Sequence, residues 1–197
     1  MDKEHVLVCV MAESSAGKDR LVSELCNRNG WTQLCSYTTR DRRNGEGETH
    51  RFIDEDFYNR IKLSDQIAAY TFINGNHYFS TIDQLYESDY YIIDPIGLQS
   101  LKALHLPNLR IVSVYINVPE NVRKERAEKR GDNMDVYRAR CLDERQQFRN
   151  MKKNMDVDYV VSNLDFAKAY SVLKWVSNAE GVWRNHNEES NDEWEDK

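Results

Sequence analysis

The chain has 197 residues, 40% of them hydrophobic, enough for one α/β domain with a small insertion. No apolar run approaches the roughly 18 residues of a membrane span, and the charged start Met1–His5 is unlike a secretory leader, so the chain is read as cytoplasmic with no membrane partner. Of the net charge of −6, the terminal stretch Arg184–Lys197 carries −4, and the near-neutral body gives no electrostatic footprint for nucleic acid. That acidic, Asn-rich stretch, 184–197, is read as a disordered, solubilising tail. Cys9, Cys26, Cys35 and Cys141 show no C-x-x-C spacing, which argues against zinc. Cys9 and Cys35 lie in apolar runs and are expected in the core.

Taken in order, His5–Met11 is a continuous apolar run and reads as a buried strand. A small-residue turn, Ala12–Gly17, leads into Lys18 and a helix over Asp19–Asn29, whose face is Leu21, Val22, Leu25 and Cys26 and whose stop is Gly30. Trp31–Thr39 is rich in aromatic and β-branched residues and predicts a second strand, followed by a charged turn over Arg40–Glu48. A short helix is expected over Ile53–Leu63. Ile67–Ile73 and His77–Ser80 flank Asn74-Gly75-Asn76 and predict a hairpin. Thr81-Ile-Asp-Gln84 has the form of a capping box, with a helix to about Ser88. Tyr90–Asp94 is a strand ending in an acid, and Pro95 suits the first turn of a helix to Leu104. Arg110–Val118 is a strand, Pro119 opens a helix to Arg130, and Gly131 breaks it. Met134–Asn154 is a long charged helix, Asp158–Ser162 the last strand and Leu164–Ala179 the last helix. Strands alternating with helices imply a parallel sheet covered on both faces. Ligands then sit beyond the strand C-termini, where Met11, Asp94 and Val118 fall, with the hairpin region as a separate small lid.

Strand, small-residue loop, lysine and helix form the layout of a phosphate cradle, in which loop amides and a helix N-terminus face one anion. The motif G-x-x-x-x-G-K-[ST] reads here as Ala12-x-x-x-x-Gly17-Lys18-Asp19. Ala12 is tolerable where φ is negative. Asp19 replaces a hydroxyl that would hold Mg²⁺, and a carboxylate can ligate the same ion. The alternative is an ordinary strand–turn–helix linker. Downstream, Arg40, Arg42 and Arg43 offer forked donors to a phosphate, or alternatively form a solvated basic turn.

The order of the motifs is more specific. Ser36-x-Thr-Thr-Arg40-x-x-Arg43-x-Gly-Glu46 resembles the substrate-binding segment of guanylate kinases. Asn76-His-Tyr78-Phe-Ser80 is similar to that family's N-x-Y-G-[TS], Ile92-Ile-Asp94-Pro-Ile-Gly97 to its acidic strand end, Arg126–Gly131 to its R-L-x-x-R-G lid, and Asp158–Asn163 to its D-Y-x-x-x-N. The resemblance spans residues 5 to 178 and implies a P-loop three-layer α/β/α fold with a parallel central sheet, an NMP-binding insertion over about 36–90 and a helical lid over about 123–150, the whole domain covering 1–183. It implies phosphoryl transfer from ATP with Mg²⁺ to a nucleoside or deoxynucleoside monophosphate, by a monomer or homodimer. Lys18 and the amides of Ser14, Ser15, Ala16, Gly17 and Asp19 would hold ATP phosphates, with Asn163 near the adenine. Ser36, Arg40, Arg43, Tyr78 and Asp94 would hold the acceptor. Arg126, Arg130 and Arg140 would close over the transferring group, and Asp19 and Asp94 would serve the metal. The other arginines of these helices, among them Arg123, Arg138, Arg145 and Arg149, are read mostly as surface ion pairs.

Departures bear on the acceptor. His50 stands where the family has a phosphate-binding Tyr, and Ala69 where it carries an acid that reads guanine. Losing such a buried partner costs about 1–3 kcal/mol. GMP or dGMP is the first acceptor expected, with a broader or different base as the alternative, since Gly17-Lys18-Asp19 also resembles the loop of phage deoxynucleoside monophosphate kinases. The rival reading is a catalytically weak guanylate kinase-like binding module.

Overall fold

Strand β1 (His5–Met11) alternates between two cores. Val6, Val8 and Val10 enter one apolar cluster, and Leu7, Cys9 and Met11 enter another. Successive side chains on a strand point to opposite faces, so a continuous apolar run requires cover on both sides. The computed structural model describes residues 4–42, 50–73, 75–154 and 157–182. The acidic tail and Arg43 lie outside these residues.

One cover is helix α1 (Lys18–Asn29), whose Leu21, Val22 and Leu25 pack on the first face and whose left-handed C-cap is Gly30. After β2 (Ser36–Thr38), β3 (His50–Phe52), α2 (Glu55–Leu63), β4 (Ile67–Ile73), β5 (Asn76–Thr81) and α3 (Ile82–Tyr86), the chain returns to the main sheet as β6 (Tyr90–Ile92). Helix α4 (Pro95–Ala103) then puts Leu98 and Leu101 on the second face. Next come β7 (Leu109–Asn117), α5 (Glu120–Arg130), α6 (Met134–Asn154), β8 (Tyr159–Ser162) and α7 (Phe166–Glu180). Phe148 and Met151 of α6 join the second face, and Ala169, Leu173 and Val176 of α7 join the first. The central sheet is parallel in the order β6-β1-β7-β8. The α/β fold with covered parallel sheet and separate small sheet is therefore as expected.

Helix α1 follows β1 on one face and α4 follows β6 on the other, so the two connections diverge and open a crevice at the strand ends. Over it stands the second sheet, β3-β2-β5-β4, in which β2 and β3 are parallel and the other pairs antiparallel.

Four details correct the sequence reading. The expected strand over Trp31–Thr39 is divided: Gln33 bridges Tyr90, and Leu34 N–H donates to Tyr90 O at 2.7 Å, before the chain enters the small sheet as β2. Strand β3 follows the expected turn over Arg40–Glu48, in a stretch for which no strand was expected, its register Ser36↔His50. Arg123 is only 5% exposed rather than a surface partner. Cys9 is buried as expected, whereas Cys35 is only half-buried; burial pushes the Cys9 thiol up to about 12. The capping box at Thr81–Gln84 forms in both directions. No helix among the described residues is long and apolar enough to cross a membrane.

Leu173, fully buried where α7 meets α1, tests the first face. Leu173→Ala is expected to lower unfolding free energy by about 2–5 kcal/mol, measured by urea denaturation.

Candidate active site

Residues 12–17 join β1 to α1. Ser15 (φ 64°) and Gly17 (φ 84°) both take the left-handed region, and such alternation turns successive N–H groups toward one anion-accepting concavity. Gly17 is required twice over, because a Cβ there would lie 2.9 Å from Asn163 Nδ2 in a conformation side chains rarely adopt. Non-glycine residues with positive φ among the described residues are Ser15, Asp65, His105 and Asn108. Ala12 is therefore unstrained, and its methyl packs in the first core.

The back of the loop is held by side chains from distant elements. Asn163 Nδ2 donates to Ala16 O at 2.8 Å, Arg126 Nη1 donates to the same oxygen at 3.3 Å, and Arg126 Nη2 donates to Asn163 O at 2.7 Å. Arg130 Nη2 donates to Ser15 Oγ at 3.0 Å while pairing with Asp132. Arg123 Nη1 donates to Ser14 O at 3.3 Å and Nε to Val118 O at 3.1 Å.

Glu13 gathers a second network. Its carboxylate accepts from Tyr115 Oη at 2.6 Å and Lys152 Nζ at 3.1 Å, and lies 3.4 Å from Arg123. Burial pushes this carboxyl up, but the Tyr115 and Lys152 hydrogen bonds and the Arg123 and Lys152 charges outweigh burial and hold it below the ordinary 4.5.

In front of the loop lies a cleft of about 300 Å³. Lys18, Asp19, Ala12 and Ser14 line one end; Ser36, His50, Ala69, Thr71 and Tyr78 of the small sheet line the other; Asp94 and Gly97 form the floor at the start of α4. Arg140, Asp143, Glu144, Gln147 and Phe148 close it from α6. Within it, Ser36 Oγ and His50 Nδ1 are hydrogen-bonded at 2.8 Å, and the His50 ring meets Tyr78 edge-on at 5.8 Å. Asp94 caps α4, with Oδ1 accepting from Ile96 and Gly97 N–H at 2.9 Å; both bonds use one oxygen. Strand β4 changes register against β5 between Ile67 and Tyr70. Such an extra residue re-aims neighbouring side chains, and here both Ala68 and Ala69 are buried, at 2% exposure each.

A family model described as guanylate kinase matches residues 4–180.

The chain belongs to the guanylate kinase family.

Among relatives, the guanylate kinase of Geobacter sulfurreducens is 30% identical over 190 residues, covering 91% of each chain. That of Aromatoleum aromaticum is 29% identical over 182 residues, covering 88% of this chain and 87% of its own. A crystal structure of guanylate kinase from Anaplasma phagocytophilum superposes with a TM-score of 0.61 at 18% identity, covering 92% of this chain and 89% of that one, a likeness of fold.

Within this guanylate kinase fold, Lys18, Asp19, Ser14, Ser36, Tyr78, Asp94 and Arg140 come together in one cleft. Arg126, Arg130 and Asn163 instead meet the loop through Ala16 and Ser15. Arg40 lies at the rim of the small sheet, its Nη1 donating to Asp41 O at 2.7 Å and its guanidinium 5.3 Å from the Phe52 ring centre. Sequence reasoning missed Glu13, Thr71 and Glu144. For Glu144 one signal existed: it falls four residues after Arg140, on the same face of a helix.

Glu13→Gln is expected to lower stability at neutral pH. Because the folded pKa is depressed, the Glu13 contribution is present above 4.5 and is lost as pH falls through the lower folded value. The gap between wild type and variant in urea titrations should close on acidification; a gap unchanged down to acid would refute the network. Gly17→Ala should abolish nucleotide binding, read by calorimetry, and cost stability by roughly 1–3 kcal/mol.

Proposed function

We propose that this member of the guanylate kinase family transfers the terminal phosphoryl group of ATP to a nucleoside or deoxynucleoside monophosphate, giving ADP and the diphosphate. The observation that carries the reading is the single cleft that joins Lys18 and the loop to Ser36, Tyr78 and Asp94. In-line transfer needs a donor site and an acceptor site facing one another with positive charge between them.

Loop amides and Lys18 hold the donor's phosphates. Tyr78, with Arg40 and Arg43, holds the acceptor phosphate, and Ser36 touches its base. The acceptor phosphate oxygen forms the new P–O bond while the bond from the γ-phosphorus to the bridging oxygen of ADP breaks. Arg140 stabilises charge on the equatorial oxygens, and Arg126 and Arg130 act through the loop they support. The oxygen donors Asp19 and Asp94 suit Mg²⁺, a hard cation that takes one or two carboxylates and completes its shell with water and phosphate. When bound, that ion neutralises charge on the β- and γ-phosphates. Asp19, exposed and 3.3 Å from Lys18 Nζ, and Asp94, with an oxygen not used in capping, are the residues that would hold it.

The acceptor pocket offers hydroxyls at Ser36 and Thr71 and a methyl at Ala69. A hydroxyl donates or accepts, so this wall suits guanine without demanding it. GMP and dGMP are the first substrates to try, with the other bases beside them.

Lys18→Met should lower kcat by roughly a hundredfold or more, and Arg40→Ala should raise KM for the monophosphate, both followed as ADP formation over a panel of NMPs and dNMPs. No turnover with any nucleotide would sink the kinase reading. Ala69→Glu should shift preference toward guanine by about tenfold.

A further inference from the structure

The front of the phosphate loop already has an anion on it. Ser14 N–H donates to Glu144 Oε2 at 2.8 Å and Ser14 Oγ to Glu144 Oε1 at 2.6 Å, a bidentate contact across 130 positions of sequence. Ser14 is 8% exposed, and both residues line the cleft. A carboxylate on a loop amide satisfies the donor as a phosphate oxygen would. One turn earlier on α6 stands Arg140, whose Nε is buried and makes no hydrogen bond among the described residues. Residues four apart share a helix face, so α6 presents an anion that occupies the loop and, one turn away, a cation whose Nε is unpaired and whose charge also reaches Asp132.

We propose that Glu144 is an internal ligand of the phosphate loop, which the donor's phosphate must displace. The inference rests on the reading that this loop binds the donor's phosphates. One amide hydrogen serves one acceptor well, and two anions at the same site repel, so carboxylate and phosphate exclude each other. Donor affinity is then reduced by the fraction of molecules in which Glu144 has withdrawn. Withdrawal has a second effect. Arg140 and Glu144 ride on the same helix, about 6 Å apart along its axis, so a movement of α6 that removes the carboxylate also relocates the guanidinium. Loading the donor thus releases the anionic contact and engages the cationic one in a single displacement, an exchange of one contact set for another of the kind packed helices make. A polyphosphate, with several contacts at Lys18 and the loop, can drive the exchange; orthophosphate, with few, is held out. Glu144 sets which anions enter.

The test is calorimetric titration of the full chain with the magnesium complex of a non-hydrolysable ATP analogue, and separately with orthophosphate. Glu144→Gln, which keeps the side chain's shape and a neutral acceptor, should tighten the analogue by about five- to tenfold. It should also make orthophosphate binding measurable. Glu144→Ala should do the same to a greater degree. In hydrogen exchange, the Ser14 amide should be protected in the free wild type, unprotected in free Glu144→Ala, and equally protected in both with the analogue bound. Unchanged or weaker analogue binding in a folded Glu144→Gln would overturn the proposal. Should Glu144→Ala unfold, Glu144→Gln and the wild-type exchange pattern still decide it, because an unprotected Ser14 amide in the free wild type overturns it as well. Lys18→Met separates the two ideas: if it binds the analogue as well as wild type, the loop reading itself fails, whereas loss in Lys18→Met without gain in Glu144→Gln fails the displacement alone.

Discussion

The carbonyl oxygen of Ala16 accepts from Asn163 Nδ2 and from Arg126 Nη1. Drawn toward those donors, it points to the back of the loop, while the Ala16 N–H is taken by Glu13 O at 3.2 Å and the Ser14 N–H by Glu144. The left-handed turns at Ser15 and Gly17 are the backbone consequence, and the absence of a side chain at Gly17 is what lets Asn163 approach so closely. Asn163 itself is placed by the end of β8, whose Ser162 is in register with Asn117 of β7. An edge strand of the central sheet therefore sets the curvature of a loop two strands away. Buried polar contacts of this kind hold a site because each partner left alone would be an unsatisfied group.

Much of this architecture was legible in the chain. The unbroken apolar run of β1 signals a strand covered on both faces, and the two cores that divide its odd and even residues bear that out. Helix α6 was readable over its full length, and the Thr81–Gln84 box formed as its spacing implies. What failed to show has physical reasons. Strand β3 is three residues long and begins at His50, too short for any period and held by pairing with β2. Trp31–Thr39 carries one composition but serves two sheets, a division that only tertiary contacts reveal. The charged helices carry the same ambiguity. Arg138 pairs with Asp135 in solvent as expected of such a surface, whereas Arg123 looks identical in sequence and is buried under Glu13 and Ser14.

The candidate site divides along the same line. Residues of the cleft that belong to recognisable motifs, Lys18, Ser36, Tyr78 and Asp94, follow from local patterns and motif order. Those that meet the loop across long separations, Glu13 with Lys152 and Ser14 with Glu144, have no local signature beyond the spacing of Glu144 from Arg140. Their partners are charged residues on a helix full of charged residues, and only the fold selects which of them face inward.

The segment from Trp31 to Cys35 has a mechanical meaning. It is clamped by main-chain bonds to the edge of the central sheet, through Thr32 O to the amides of Asp89 and Tyr90 and through Leu34 N–H to Tyr90 O, and Gln84 Nε2 ties Cys35 O at 2.8 Å. It then enters the small sheet without an intervening loop. A strand shared in this way acts as a splint between the two sheets. The opposite wall is α6, whose Glu144 and Lys152 side chains reach Ser14 and Glu13 of the loop, so one wall of the cleft is tied by main-chain bonds and the other by side chains.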